Sequence, residues 1–242
     1  MLELKNISFK VNINGRDKEI LKNINIKLDN NKFIVITGPN GSGKSTLAKI
    51  ITGILVPTQG QIVFDGKDIT NLNITERAKI GLGYAFQQPV KFKGLQVYDL
   101  LKIAAKGDLK IEQACDYLSK VGLCAGEYVK REVNNSLSGG ELKRIEIATV
   151  LAKQPKLSVF DEPEAGIDLW SFQNLIKIFN SMRQNVNNGT IIVISHQERI
   201  LNIADEILVL SEGKITMNGL KDEILPKILG TESAVTTCEK LN

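Results

Sequence analysis

Apolar and polar residues alternate from the start of the chain to residue 28, on both sides of the pair Asn14-Gly15. Alternation of this kind is typical of a strand with one buried face, and Asn-Gly is a frequent hairpin turn. The segment therefore predicts an antiparallel β-hairpin. The apolar positions that carry the pattern are Leu2, Leu4, Ile7 and Phe9 before the turn, and Ile20, Leu21, Ile24, Ile26 and Leu28 after it.

Short apolar runs then alternate with segments of helical periodicity. Continuous apolar runs indicate strands that are buried on both faces, and strands alternating with helices imply a parallel sheet. An α/β fold follows from this order. The predicted strands are 33–37, 61–64, 82–86, 157–160 and 190–194, and the predicted helices begin near Lys44 and Ser138 and cross 175–179.

Two regions depart from the alternation of strand and helix. Apolar residues recur at helical intervals from 97 to 123 with no strand between them, which predicts a helical insertion. Near the end of the chain, the runs 207–210 and 214–217 flank a Ser-Glu-Gly turn and predict a second hairpin. The expected boundaries are one domain over 1–218, its helical subdomain at about 88–156, and a C-terminal helix and tail at 219–242.

Charge and composition exclude several functions. The 31 Lys and Arg residues nearly balance the 27 Asp and Glu residues and form no long basic run, so we expect no nucleic-acid binding. No apolar stretch reaches the roughly 18 residues of a membrane span, and the first residues lack a signal-peptide layout, so we expect a soluble cytoplasmic protein. Cys115, Cys124 and Cys238 form no Cys-x-x-Cys pair and are expected to be small, buried apolar residues, with Cys238 the most exposed of the three.

A glycine-rich loop joins the strand 33–37 to the helix that begins near Lys44. Its glycines let successive backbone amides approach phosphate groups, and the helix directs its positive end at them. Lys44 supplies a charge for the β and γ phosphates, and Ser45 supplies a hydroxyl for Mg²⁺. We therefore expect a nucleotide here. The loop residues are Gly38, Pro39, Asn40, Gly41, Ser42, Gly43, Lys44, Ser45 and Thr46.

Three other predicted strands end in polar side chains, at the sheet edge where nucleotides bind. Asp161 can hold Mg²⁺ directly or through water, and Glu162 can accept a proton from the attacking water. His196, the only histidine, can bond a γ phosphate or that water, although a lone histidine is also often structural. Gln87 can reach the metal or the water as an uncharged sensor.

Ser138-Gly139-Gly140 opens a helical pattern, so its amides and hydroxyl form a second anion site. One chain offers no obvious second phosphate for this site. We therefore expect a two-fold dimer in which it caps the γ phosphate held by Lys44 of a second copy. The alternative is an ordinary serine cap of the helix.

Two further residues each have two interpretations. Asp168 is expected at the seam of the dimer, where it would link the two sites, and it also suits the N-terminal cap of the helix that follows. Phe9, at the end of the first strand, is suited to stacking on a purine and equally to filling the core.

Together, these residues resemble the ABC-type ATPases. The matching motifs are Walker A at 38–45, the Gln87 loop, the signature at 137–141, Walker B at Asp161-Glu162, the Asp168 loop and the His196 switch. The resemblance implies a P-loop NTPase core with an N-terminal antiparallel β subdomain and an inserted helical subdomain. It also implies ATP and Mg²⁺, an ATP-dependent closed dimer, and a helical insertion that communicates with a partner.

Within the ABC ATPases, the chain is most similar to the SufC family, the soluble ATPases of iron-sulfur cluster assembly. This resemblance implies a SufB- or SufD-like scaffold as partner. The short segment 53–60 departs from that family and favours the alternative, the ATP-binding subunit of a transporter that meets the membrane only through its partner. The residues that carry the SufC resemblance are 75–79, 85–90 with Gly94, Gly139-Gly140-Glu141, Lys143-Arg144, Glu146-Ile147 and 195–201; Pro163-Glu164-Ala165 and the tail from Leu220 differ.

Overall fold

The computed structural model describes residues 1–184 and 189–238. Within these ranges, strands and helices alternate along the chain. The strands are β1 Leu2–Ile13, β2 Arg16–Leu28, β3 Phe33–Thr37, β4 Gln59–Phe64, β5 Lys67–Asp68, β6 Leu82–Ala85, β7 Leu157–Asp161, β8 Thr190–Ile194, β9 Glu206–Ser211 and β10 Lys214–Leu220. The helices are α1 Lys44–Thr52, α2 Ile74–Lys79, α3 Val97–Ala104, α4 Ile111–Lys120, α5 Ala125–Tyr128, α6 Gly139–Lys153, α7 Leu169–Gln184, α8 Glu198–Leu201 and α9 Lys221–Cys238.

The N-terminal hairpin is confirmed. β1 and β2 pair antiparallel across a turn in which Asn14 and Gly15 have φ values of 52° and 78°, as a tight hairpin turn requires. The predicted strand 61–64 is part of β4, which also pairs antiparallel with β1. The first sheet therefore has the order β2-β1-β4-β5 and forms a separate antiparallel layer.

The second sheet has the order β10-β9-β3-β8-β7-β6. β3, β6, β7, β8 and β9 run parallel, and the predicted hairpin of β9 and β10 adds an antiparallel edge. β3 lies between β8 and β9, although more than 150 residues separate it from either in the chain. The carboxyl ends of β3, β7 and β8 consequently lie next to one another.

Two apolar cores cover the faces of this parallel sheet. Along β3 the side chains alternate between them: Phe33 and Val35 belong to one core, and Ile34 and Ile36 belong to the other. The first core contains residues of the helical insertion, α6 and α7, whereas the second contains residues of α1 and the antiparallel sheet. The fold is therefore the predicted P-loop NTPase architecture, with an antiparallel β layer and a helical insertion.

Arg77 of α2 fixes the end of α1, the helix that follows the glycine-rich loop. The guanidinium is fully buried and donates hydrogen bonds to the carbonyls of Ile50 at 2.6 Å and Ile51 at 2.8 Å. It also donates to the carbonyls of Leu72 and Thr70, each at 2.9 Å. Burial lowers the pKa of Arg77 to about 10, which leaves it charged at neutral pH.

The predictions about membrane spans, cysteine burial and domain boundaries have different outcomes. No helix within the described residues is both long and apolar enough to span a bilayer. Cys115 is half-buried and Cys124 is exposed, so the expectation of a buried residue is wrong for Cys124, while the side chain of Cys238 lies outside the described part. The boundaries of the helical subdomain and of the C-terminal tail stay predictions.

Candidate nucleotide-binding site

The glycine-rich loop lies at the carboxyl end of β3 and depends on glycine in two ways. At Gly38, φ is +139° and an added Cβ would stand 1.9 Å from the carbonyl oxygen of Leu210, so a side chain cannot fit. At Gly41, φ is +78° with open space around the Cβ position, so glycine is needed there for the backbone conformation. The loop can therefore bring its backbone amides close to a ligand.

α1 begins at Lys44 with no side-chain cap, which leaves its first N–H groups available to an anion. The ammonium of Lys44 donates to the carbonyls of Gly38 at 2.7 Å and Pro39 at 2.9 Å. Burial lowers the pKa of Lys44, and the charges of Glu162 and Asp161 oppose that shift. The hydroxyl of Ser42 is buried in the same loop without a protein partner. These features fit a phosphate group.

Asp161 ends β7 and is 1% exposed. Ser45 donates its hydroxyl to one carboxylate oxygen at 2.9 Å, and Tyr84 donates its own to the other at 2.8 Å. Burial, followed by the charge of Asp161, raises the pKa of Tyr84, so the phenol stays a donor at neutral pH. A carboxylate beside a hydroxyl fits Mg²⁺, which is usually bound by one or two protein oxygens together with substrate phosphates.

Glu162 follows directly and joins the ends of two strands. Its backbone N–H donates to the carbonyl of Ile194 at 3.1 Å, and its φ is 44°, in the left-handed region. Gln87, which lies just beyond β6 and is exposed, donates its amide to Glu162 Oε2 at 2.6 Å. Gln87 and Glu162 are thus in direct contact, although 75 residues separate them.

His196 lies just beyond the end of β8 and is exposed, with its Nε2 3.3 Å from the side-chain amide of Gln197. The preceding Ser195 is fully buried and donates its hydroxyl to Glu164, while accepting from the N–H of Gln197 at 3.0 Å. Burial raises the pKa of Glu164, and its second oxygen is buried without a hydrogen bond. A carboxyl group therefore supports the turn that carries His196.

Ser138 caps α6 through a reciprocal pair of bonds. The N–H of Glu141 donates to the Ser138 hydroxyl at 3.3 Å, and the N–H of Ser138 donates to Glu141 Oε2 at 2.7 Å. Glu141 also accepts the hydroxyl of Tyr128 and lies 3.8 Å from the guanidinium of Arg131. The Tyr128 hydrogen bond is the main cause that lowers the pKa of Glu141. Ser138 and Gly139 remain exposed, and Gly140 is partly exposed.

For Asp168 and Phe9, the structure shows one of the two contacts that were considered, a helix cap and a core contact, respectively. Asp168 accepts from the N–H of Ser171 at 2.9 Å and from its hydroxyl at 2.7 Å, which is the geometry of a helix cap. Phe9 pairs with Leu21 and packs against the core of the antiparallel layer. The dimer-seam role of Asp168 and the purine contact of Phe9 stay predictions.

Sequence reasoning missed several polar residues around the site. The sequence shows Tyr84 as a polar side chain in an apolar strand, but only the sheet order places that strand beside the one that ends at Asp161. Lys143 and Glu146 were noted only for their resemblance to one family, and Glu164 only as a departure from it. The sequence predicted the elements that carry these side chains but not their contacts.

Comparisons with known proteins identify the family of the chain. The family model described as ABC transporter matches residues 21–165. An uncharacterized ABC transporter ATP-binding protein of Methanocaldococcus jannaschii is 38% identical over 216 residues, which cover 86% of each chain. A probable ATP-dependent transporter of Synechocystis is 35% identical and spans 92% of this chain and 90% of its own length.

A solved structure has the same fold as this chain. A dimeric ATP-binding cassette in a post-hydrolysis state, bound to ADP and phosphate, superposes with a TM-score of 0.81 at 25% identity, over 91% of this chain and 99% of that one. The chain therefore belongs to the ABC transporter family of ATP-binding proteins. It is an ATP-hydrolysing enzyme that uses ATP and Mg²⁺, and the ATPase domains of this family dimerise with ATP.

Proposed function

We propose that this ATPase powers iron-sulfur cluster assembly on a soluble SufB- or SufD-like scaffold in the cytoplasm. The observation that carries the proposal is the set of charged residues of α6 that resemble the SufC family. Glu141 stands where transport ATPases more usually have glutamine, and it binds Tyr128 and the Ser138 amide. Lys143 is buried and donates to the carbonyl of Phe86, which lies in the SufC-like segment 85–90.

The alternative is the ATP-binding subunit of a membrane transporter. The short segment 53–60 supports it, as does the description of the Methanocaldococcus jannaschii relative as an ABC transporter ATP-binding protein. Both functions use the same hydrolysis chemistry. They differ in the partner protein that the conformational change of the ATPase acts on, a soluble scaffold in one case and a membrane protein in the other.

Within the proposed domain over 1–218, with its helical subdomain at about 88–156, the site residues have distinct roles. The glycine-rich loop and Lys44 hold the phosphates, and Ser45 and Asp161 would hold Mg²⁺, which neutralises phosphate charge when bound. Glu162 accepts the proton of the attacking water. Gln87 and His196 orient the water and the γ phosphate, and Ser138 of a second copy completes the site.

Glu162→Gln tests these roles because it keeps the size of the side chain and removes the base. We expect ATP binding to persist, turnover to fall by roughly 10²- to 10⁴-fold, and a dimer to accumulate with ATP. Lys44→Ala is the contrasting variant, and it should weaken ATP binding itself. Full activity in Glu162→Gln would remove Glu162 from the role of base, and unchanged ATP affinity in Lys44→Ala would contradict the loop assignment.

Co-purification from native cells tests the partner. The tagged chain should recover a soluble scaffold that carries an iron-sulfur cluster, identified by mass spectrometry and by the visible absorption of the cluster. A stoichiometric polytopic membrane protein would contradict the assembly function and establish the transporter alternative.

A further inference from the structure

Two charged side chains on α6, the buried Lys143 and the mostly buried Glu146 with 13% of its side chain exposed, are not used by the hydrolysis chemistry described above. Lys143 is 1% exposed, and its ammonium lies 3.3 Å from the carboxylate of Glu146, three residues further along the helix. Burial is the main cause that raises the pKa of Glu146, and the charge of Lys143 opposes it. Removing charges from water is costly, so a buried pair calls for a specific structural reason.

The pair holds the main chain of Phe86 from both sides. The ammonium of Lys143 donates to the Phe86 carbonyl and, at 3.4 Å, to the carbonyl of Gln87. The N–H of Phe86 donates to Glu146 Oε1 at 2.7 Å. Both backbone polar groups of Phe86 are therefore bonded to a charged group of suitable sign, and charge-assisted hydrogen bonds are stronger than neutral ones.

The position of Phe86 explains why such a contact is needed. β6 is the edge strand of the parallel sheet and pairs with β7 only as far as Ala85. Beyond this point the sheet no longer fixes the backbone, and the α6 side chains take over. The Phe86 ring adds an edge contact with Tyr84 at 4.7 Å between ring centroids. Gln87 therefore follows directly on a residue, Phe86, whose backbone is held in place by side chains of α6.

We propose that Lys143 and Glu146 are positioning residues for ATP hydrolysis, because they hold the Phe86-Gln87 backbone where the Gln87 amide reaches Glu162 at 2.6 Å. The inference rests on the proposed roles of Gln87 and Glu162. Ser138 also caps the N-terminus of α6, so a displacement of this helix, which carries the second anion site, is transmitted to Gln87 and Glu162 of the same chain.

Lys153 provides a matched control on the same helix. Its ammonium donates to the carbonyl of Leu82 at 2.7 Å, so it also anchors β6 to α6, but at the start of the strand and away from Gln87. Lys143→Met and Lys153→Met therefore each remove one positive charge and its hydrogen bonding to backbone carbonyls. The first change acts just beyond the end of β6, and the second acts at its start. The double variant Lys143→Met with Glu146→Leu removes both charges together and leaves neither one buried alone.

The experiment measures kcat and KM for ATP in the full chain, with and without Gln87→Ala. We expect Lys143→Met to lower kcat by roughly 10- to 100-fold with KM changed less than about threefold, since small displacements near the chemistry act mainly on turnover. The double variant should lower kcat similarly, and Lys153→Met should leave it within about threefold of the native value. In the Gln87→Ala background, Lys143→Met should produce no further loss, because the two changes act through one contact.

Equal losses from Lys143→Met with and without Gln87→Ala would overturn the proposal, as would equal losses from Lys143→Met and Lys153→Met. Either result would assign Lys143 a purely structural role. The proposed function fails differently: it fails if Glu162→Gln keeps its activity or if the co-purified partner is a membrane protein. Neither of those results depends on Lys143.

Discussion

Replacing Tyr84 with phenylalanine tests how the carboxylate of Asp161 is held. In the native chain this buried carboxylate accepts one hydroxyl from Ser45 at 2.9 Å and another from Tyr84 at 2.8 Å. The substitution removes one of these two donors and leaves the aromatic ring, which packs against Phe86. The change is therefore almost entirely the loss of one hydrogen bond to a charged acceptor.

The magnitude follows from the burial of the acceptor. A hydrogen bond to a charged group contributes about 1.5–3 kcal/mol, and Asp161, at 1% exposure, has little access to replacement water. Each kcal/mol shifts the melting temperature of a chain of this size by about 2–4 °C, so Tyr84→Phe should lower Tm by about 3–12 °C. In an Asp161→Asn background the same change should cost less, because the acceptor is then neutral.

The assay is thermal and urea unfolding of the nucleotide-free protein, for Tyr84→Phe, Asp161→Asn and the double variant. Tyr117→Phe is the control, since that half-buried ring belongs to the helical insertion and contacts Lys120. A Tm change no larger than that of Tyr117→Phe would refute the argument. An equal cost in the Asp161→Asn background would show that the hydroxyl acts on something other than the carboxylate.

Three further variants concern charged side chains that form internal hydrogen bonds. Burial raises the pKa of Glu164 above its ordinary 4.5, so its ionisation destabilises the fold as pH rises; Glu164→Gln should raise Tm at neutral pH and lose this advantage below pH 4.5. The Tyr128 hydroxyl lowers the pKa of Glu141, so Glu141→Gln should lower Tm at neutral pH and converge with the native chain as pH falls through that lowered pKa. Melting curves across pH check both, and parallel curves would contradict both. Arg77→Met leaves two buried carbonyls at the end of α1 without their charged donor and should cost roughly 2–6 kcal/mol by urea unfolding, so a much smaller loss would contradict the anchoring role.

The sequence by itself determined the features that depend on neighbouring residues. The Asn14-Gly15 hairpin, the buried strand before the glycine-rich loop, and the helix that begins at Lys44 each follow from a short pattern. Such elements are predictable because backbone conformation, alternation and capping act over a few residues. The order of motifs along the chain was also enough to indicate the class of ATPase.

Only the tertiary structure decided which polar side chains share a site. Tyr84 reaches Asp161 across 77 residues, Lys143 reaches the Phe86 carbonyl across 57, and Ser195 reaches Glu164 across 31. A buried polar group needs a hydrogen-bond partner, but its identity depends on strand order and helix packing. β3 lies between two strands that come late in the chain, and no local pattern contains that information. The contacts around the site were therefore set by the fold, although each residue stood in a segment that the sequence had already predicted.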